Sequence, residues 1–258
     1  MKKIHVIIPV VQTKMADELL KILVRNTVRP KKIIIIDNST KNYLPPKGVS
    51  DNIDTEVHAF DPPKRVNDSW KIGFDNSKDA DIVSVLNDDI IDSRYFFEKI
   101  LIVFNKVSDA GIVSPYTRVP GGIRGIRCRA GSVNFPDTSS PLSNKIMHIM
   151  FRQGWAFSIR RDVLDKIPPI PNVLSMFCGD DWLFLWTVNM GLKWYLMLDN
   201  RCFHYTGTSV SKMHFRKRTT LKEKQALIKL LVNDPDFKKE HIKHIGGVRQ
   251  GVQPITSL

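Results

Sequence analysis

The hydrophobic and polar positions of this chain fall into two alternating rhythms. Residues 4–10 (IHVIIPV) and 32–37 (KIIIID) are short, β-branched and almost uninterrupted in apolar character, the pattern of strands buried on both faces. Between them Ala16, Leu19, Leu20 and Leu23 recur at helical spacing. Strand, helix and strand in that order predict a right-handed crossover and a parallel sheet. A strand at 56–60, a helix at 67–77 and a strand at 81–87 follow, after a loop around Pro45, Pro46 and Gly48. Phe96, Phe97, Ile100, Leu101 and Phe104 predict an amphipathic helix, and 111–115 a further short strand.

At Tyr116 the rhythm stops. Residues 116–143 are rich in Gly, Pro, Ser and Arg, and no acid separates Arg118 from Asp137, so Arg124, Arg127 and Arg129 lie in a cationic stretch read as a loop. A strand at 155–159, a short helix at 162–167 and a rigid turn at Pro168, Pro169 and Pro171 come next. Gly179-Asp180-Asp181-Trp182 then opens an apolar helix to about Met190, with Gly191 as its stop. A strand at 193–199 leads to the sequence FHYTGTS at 203–209, and the stripe Ala226, Leu227, Leu230 and Leu231 predicts a last helix docked on the core. The expected class is α/β: a mostly parallel central sheet flanked by helices. The organisation expected is one half over 1–115, a second half of the same domain over 116–211, and a basic helical extension over 212–258.

Charge changes the picture. The 258 residues carry a formal net charge of +13, and the stretch 212–258 alone holds 11 Lys or Arg against 4 acids. Such a protein attracts polyanions: nucleic acid, an anionic membrane surface or phosphorylated substrates. Arg216, Lys217 and Arg218 form the densest cluster. Cys128, Cys178 and Cys202 have no paired spacing and fit a reducing compartment; no apolar run reaches the length of a membrane span, so a cytoplasmic protein is expected. The turn after the first strand, Pro9-Val10-Val11-Gln12, contains neither GxGxxG nor GxxxxGK[ST], which removes support for a dinucleotide-binding Rossmann unit and for a P-loop.

The candidate chemistry sits where strand 82–86 runs into Asn87-Asp88-Asp89. A buried strand ending in adjacent carboxylates delivers acids to the rim of the sheet, where open α/β folds bind ligands. Carboxylates are hard ligands for Mg²⁺ or Mn²⁺, which bind through one or two protein carboxylates while substrate phosphates complete the shell. Taken singly, Asp88 and Asp89 also read as a turn or cap, Asp180 and Asp181 as helix caps, and His204 as a loop or core histidine.

Taken together, five spaced segments over roughly residues 4–210 resemble the GT-A glycosyltransferases, especially the family-2-like inverting group. Ile7-Ile8-Pro9-Val10 is similar to the opening strand that cups the nucleobase, and Ile35-Ile36-Asp37-Asn38-Ser39 to the VDDGS segment. Asn67-Asp68-Ser69-Trp70-Lys71-Ile72-Gly73 resembles the helix start beside the nucleotide, Asn87-Asp88-Asp89 the DxD motif, and Gly179-Asp180-Asp181-Trp182 the GEDW motif. The resemblance implies a nucleoside-diphosphate sugar as donor, with uridine the favoured base. It implies donor contacts from Pro9, Val10, Asp37, Ser39, Asn67, Trp70, Lys71 and Asp88, a Mn²⁺ or Mg²⁺ held by Asp89 and His204, and Asp181 as general base. Two departures stand out: Asn87 replaces the first acid of DxD, and Asn38 the second acid of VDDGS.

For the acceptor, Asp180, Trp155, Trp182, Arg124, Arg127, Arg129, Arg216, Lys217 and Arg218 are the expected contacts. The basic stretches favour a nucleic-acid acceptor, such as a hydroxymethylated pyrimidine in DNA, and a phage or large-virus setting. The alternatives are a polysaccharide, glycolipid or glycoprotein acceptor with the basic tail on anionic lipid, and a catalytically silent nucleic-acid-binding protein, which Asn87 would favour.

Overall fold

A computed structural model describes residues 2–92, 94–118, 146–148, 154–204 and 216–244. Its centre is a nine-stranded sheet in the order β3-β2-β1-β4-β8-β6-β9-β5, with β7 paired to β9. The first four strands are β1 (Ile4–Val10), β2 (Lys32–Asp37), β3 (Asp54–Ala59) and β4 (Ile82–Leu86), joined by α1 (Thr13–Arg25), α2 (Lys47–Ser50) and α3 (Val66–Asp75). All pair in parallel. Then come β5 (Ile90–Ile91), α4 (Phe96–Lys106), β6 (Ala110–Arg118), β7 (Ile146–His148), β8 (Ala156–Arg160), α5 (Arg161–Leu164), α6 (Gly179–Asn189), β9 (Lys193–His204) and α7 (Arg216–Asn233). Because β8 is antiparallel to both β4 and β6, and β6 is parallel to β9, six strands (β1 to β4, β6 and β9) share one direction; β5, β7 and β8 oppose them. The mainly parallel sheet expected from the sequence is present.

Side-chain alternation along the strands divides the core. Ile7, Ile34, Ile36, Val83 and Val85 face one side with Trp70 and Phe74 of α3, the apolar residues of α6, and Leu227 and Leu231 of α7. Val6, Ile8, Ile33, Ile35, Ile82 and Leu86 face the other, against Leu19, Leu20 and Leu23 of α1 and Phe97, Ile100 and Val103 of α4. Helices on both faces explain why the strands read as continuous apolar runs.

Most predicted elements lie within a few residues of their observed bounds, and the largest differences are in β6 and β9. The polar pair Asp199-Asn200 reads as a strand end, yet β9 continues to His204. The register jumps there, from Pro115 opposite Met197 to Tyr116 opposite Arg201, so the polar pair is absorbed in a bulge. Asn200 is fully buried, and its amide donates to the Phe96 carbonyl at 3.0 Å. His204 is consequently the last residue of a strand rather than part of a following loop. Gly191 ends the α6 region with φ of 76°, a conformation glycine adopts without a Cβ penalty.

Candidate functional site

The strand order β3-β2-β1-β4 reverses between β1 and β4, and open α/β sheets bind ligands outside the carboxyl ends of the strands at such a point. Asp88 lies there. One of its carboxylate oxygens, Oδ2, accepts the N–H groups of Val11 at 2.7 Å and Gln12 at 2.6 Å, tying the end of β4 to the start of α1. Burial pushes this carboxyl up to about 6, against the two amides that hold it down and with the neighbouring Asp89 adding to the rise. Pro9 and Val10, at the end of β1, pair with Ile36 and Asp37 of β2.

Asp37 ends β2 and organises the next turn. Its Oδ1 accepts the Ser39 N–H at 2.8 Å and its Oδ2 the Tyr43 N–H at 2.7 Å. Burial alone would raise its pKa, but these bonds and the Ser39 hydroxyl outweigh it and hold the carboxyl below its usual range. Asn38 donates to Ser69 Oγ at 3.0 Å and accepts the Lys64 N–H at 2.8 Å, so it links the β2 edge to the start of α3. An amide can donate and accept at once; an ionised carboxylate could not make the bond to Ser69 while Ser69 Oγ donates to the Arg65 carbonyl at 3.1 Å.

Asp89 follows in the turn between β4 and β5. His204 is drawn to it by register, since His204 pairs with Ile90 at the end of β9. Its Nε2 lies 3.2 Å from Asp89 Oδ1 and both side chains are buried. Trp155 stacks on the imidazole with ring centroids 5.2 Å apart and planes within 19°. The Nδ1 atom of His204 is buried without a hydrogen-bond partner among the described residues. One carboxylate and one imidazole are a donor set for a divalent cation that takes its remaining ligands from phosphates and water, so these two residues fit the Mn²⁺ or Mg²⁺ expected from the sequence. Among the described residues no group of three His, Cys, Asp or Glu side chains forms a metal cluster.

Gly154 and Trp155 join this pair to the second acid motif. A Cβ placed on Gly154 would lie 3.1 Å from Asp180 Oδ2 and 3.1 Å from the Trp70 ring, so Trp70, Gly154 and Asp180 converge beside the His204–Trp155 stack. Asp180 and Asp181 form the first turn of α6, and Asp180 Oδ1 accepts the Asp181 N–H at 3.0 Å. Cys178, immediately before that helix, has φ of 58°, a left-handed conformation uncommon for a residue with a Cβ.

Two residues hold this turn from opposite sides. Asn67, buried in α3, donates through Nδ2 to the carbonyls of Leu174 at 2.7 Å and Phe177 at 2.9 Å, and its own N–H reaches Ser175 O at 3.0 Å. Glu223 of α7 accepts the N–H groups of Met176 at 3.1 Å and Phe177 at 2.7 Å. Burial raises the Glu223 pKa, opposed by the amides of Phe177, Met176 and Ser175. Glu223 escaped the sequence reading, although a signal existed: it stands at i in the buried stripe Glu223, Leu227, Leu231, an acid in line with two core leucines.

The other predicted residues are placed as follows. Trp182 is buried and its Nε1 donates to Pro168 O at 2.8 Å, a packing position rather than an open wall. Lys71 is held by Asp68 at 2.6 Å and Asn172 at 2.7 Å on the outer side of α3. Arg218 is exposed on α7; Arg216 and Lys217 lie in the same helix, but their side chains are outside the described residues. Arg124, Arg127 and Arg129 also lie outside the described residues.

Neither a protein-family model nor a curated protein matches this sequence. Solved structures do. The chain superposes on S. aureus TarS 1-349 with a TM-score of 0.64 and 13% identity, over 94% of this chain and 69% of that one. The chain has the GT-A glycosyltransferase fold. The same TarS fragment in complex with UDP-GlcNAc gives a TM-score of 0.65 at 14% identity, over 94% of this chain and 70% of that one. GalNAc-T7, solved with UDP, GalNAc and Mn²⁺, gives 0.60 at 11% identity, over 95% of this chain and 54% of that one. Against the longer TarS structure this GT-A chain spans 42% of the length.

Proposed function

We propose that this protein is a metal-dependent inverting glycosyltransferase that moves a sugar from a nucleoside diphosphate, UDP by preference, to an acceptor hydroxyl. The observation that carries the reading is the join of two motifs at one sheet edge: Asp89 and His204 3.2 Å apart, with Trp155 and Gly154 leading directly to Asp180 at the head of α6. Solved structures of this fold that contain UDP, UDP-GlcNAc or Mn²⁺ support the donor and metal assignments.

In this scheme the turn held by Asp37, with Ser39, and the β1 end at Pro9 and Val10 receive the nucleoside. Asp88 keeps the β1–α1 turn in place through the Val11 and Gln12 amides. Asp89 and His204 would hold the divalent cation, which when bound would stabilise the charge that builds on the leaving diphosphate. Asp181 takes the proton of the acceptor hydroxyl as its oxygen attacks the anomeric carbon; the carbon–oxygen bond to the diphosphate breaks on the opposite face. A single in-line displacement inverts the centre. Trp70 and Asp180, meeting at Gly154, line the sugar's position.

For the acceptor, the +13 charge is compatible with DNA carrying a hydroxymethylated pyrimidine, and the exposed Leu221, Ile228 and Val232 of α7 favour an acceptor at a membrane instead. The test is to incubate the protein with UDP-sugars and Mn²⁺ or Mg²⁺ and measure UDP release, with the mass of hydroxymethylcytosine-containing and unmodified DNA followed in parallel. Metal-dependent UDP release is expected. A sugar-sized mass gain on the modified DNA would select the DNA acceptor, and no release with any sugar nucleotide would leave the silent-protein reading.

A further inference from the structure

α7 has two apolar faces. Leu227 and Leu231 are fully buried against the core, and Glu223 points the same way to the 176–177 amides. On the other side Leu221, Ile228 and Val232 are 59%, 39% and 38% exposed. Separations of seven and eleven residues bring these three to within about 40° of arc on a helix of 3.6 residues per turn, so they form one narrow stripe. Arg218, Lys222 and Lys229 lie exposed along one margin of it, and the half-buried Lys224 along the other. Glu223 is the only acid in α7, and it is turned inward. The outward surface therefore combines an aliphatic stripe with cationic flanks and no acid from its own helix.

Aliphatic side chains have no π-face for bases and no hydrogen bonds for phosphates, so the stripe adds nothing to a nucleic-acid groove. At a lipid headgroup boundary both parts find partners: the stripe enters the acyl edge while lysine and arginine stems extend to the phosphates. Among the described residues no helix is long and apolar enough to cross a membrane. We propose that the Leu221–Ile228–Val232 face of α7 docks on an anionic bilayer. Through Glu223 the same helix grips the 176–177 amides just ahead of α6, whose first turn carries Asp180 and Asp181, so docking would fix the acid-bearing helix relative to the lipid surface and present a lipid-borne acceptor hydroxyl to it. This rests on the membrane-acceptor form of the proposed function.

The test uses the full chain and vesicles of phosphatidylcholine alone or mixed with phosphatidylglycerol, with binding read by sedimentation. The wild type is expected on the anionic vesicles and not on the neutral ones. The surface variant Leu221→Gln/Ile228→Gln/Val232→Gln should bind at least about tenfold more weakly, as should Lys222→Glu/Lys229→Glu. Both should keep the wild-type circular dichroism and UDP-sugar hydrolysis. Wild type that ignores anionic vesicles, or a glutamine variant that binds them as tightly as wild type, overturns the proposal. So does a wild-type dimer that the glutamine variant converts to monomer without any vesicle binding, or salt-sensitive binding to duplex DNA alone. Hydrolysis without vesicle binding removes the docking surface and keeps the enzyme; vesicle binding without hydrolysis of any sugar nucleotide does the reverse.

Discussion

His204 Nε2 stands 3.2 Å from Asp89 Oδ1 although the two are separated by more than a hundred residues of chain. Pairing of His204 with Ile90 makes the contact, because it sets the last residue of β9 beside the turn that follows β4. His204→Ala and Asp89→Ala should each abolish the gain in UDP affinity that Mn²⁺ confers on the wild type, a loss of about tenfold or more. Calorimetric titration of UDP with and without Mn²⁺ measures it, and an unchanged metal dependence in both variants would remove this pair from the cation site.

Asp181→Asn should lower kcat by about a hundredfold or more while leaving UDP binding close to wild type, since a base acts on the acceptor and not on the nucleotide. Asp180→Asn provides the comparison, because Asp180 already caps Asp181 with one oxygen and faces Gly154 with the other. Single-turnover transfer by Asp181→Asn at the wild-type rate would transfer the base role elsewhere.

At Gly179 a Cβ would lie 2.3 Å from Asn67 Oδ1, inside the buried clamp that holds the 174–177 turn. Gly179→Ala should cost about 1–3 kcal/mol by overpacking. Asn67→Ala should cost about as much again for each carbonyl it leaves buried without a donor, here Leu174 and Phe177. Urea denaturation gives both values; a loss below ~0.5 kcal/mol for Asn67→Ala would show that the turn relaxes or takes in water.

Glu223 gives the fold a pH dependence whose sign can be fixed. Its pKa is raised in the folded protein, first by burial, so the folded state holds more protons than the unfolded one above the ordinary glutamate value of about 4.3. Its contribution is therefore fully present below that value and is lost as pH rises through the raised folded pKa. Glu223→Gln cannot titrate, so its melting temperature should gain on the wild type as pH increases from about 4. A constant difference between the two proteins across that range would mean that Glu223 titrates normally in its clamp.

Much of the fold was legible because parallel strands covered on both faces are nearly continuous apolar runs, and Ile4–Val10, Lys32–Asp37 and Ile82–Leu86 are such runs, broken only by His5, Ser84 and the terminal Lys32 and Asp37. Asn87-Asp88-Asp89 and Gly179-Asp180-Asp181 could be marked as chemistry for a similar reason: carboxylates directly after a buried strand or at the head of an apolar helix stand out against their surroundings. The sequence also carried the excess of positive charge in 212–258. It could not tell which oxygen of which acid is already in use. Tertiary structure assigned Asp88 Oδ2 to the Val11 and Gln12 amides, both oxygens of Asp37 to its own turn, and the amide of Asn67 to two carbonyls more than a hundred residues away. Hydrogen bonds between distant segments leave no period in the chain, and neither does a bulge such as the one that carries β9 through Asn200 to His204. The two faces of α7 were set in the same way. Helical spacing already marked Ala226, Leu227, Leu230 and Leu231 as the stripe docked on the core, but only the packed structure showed that Leu221, Ile228 and Val232 stay exposed on the other side.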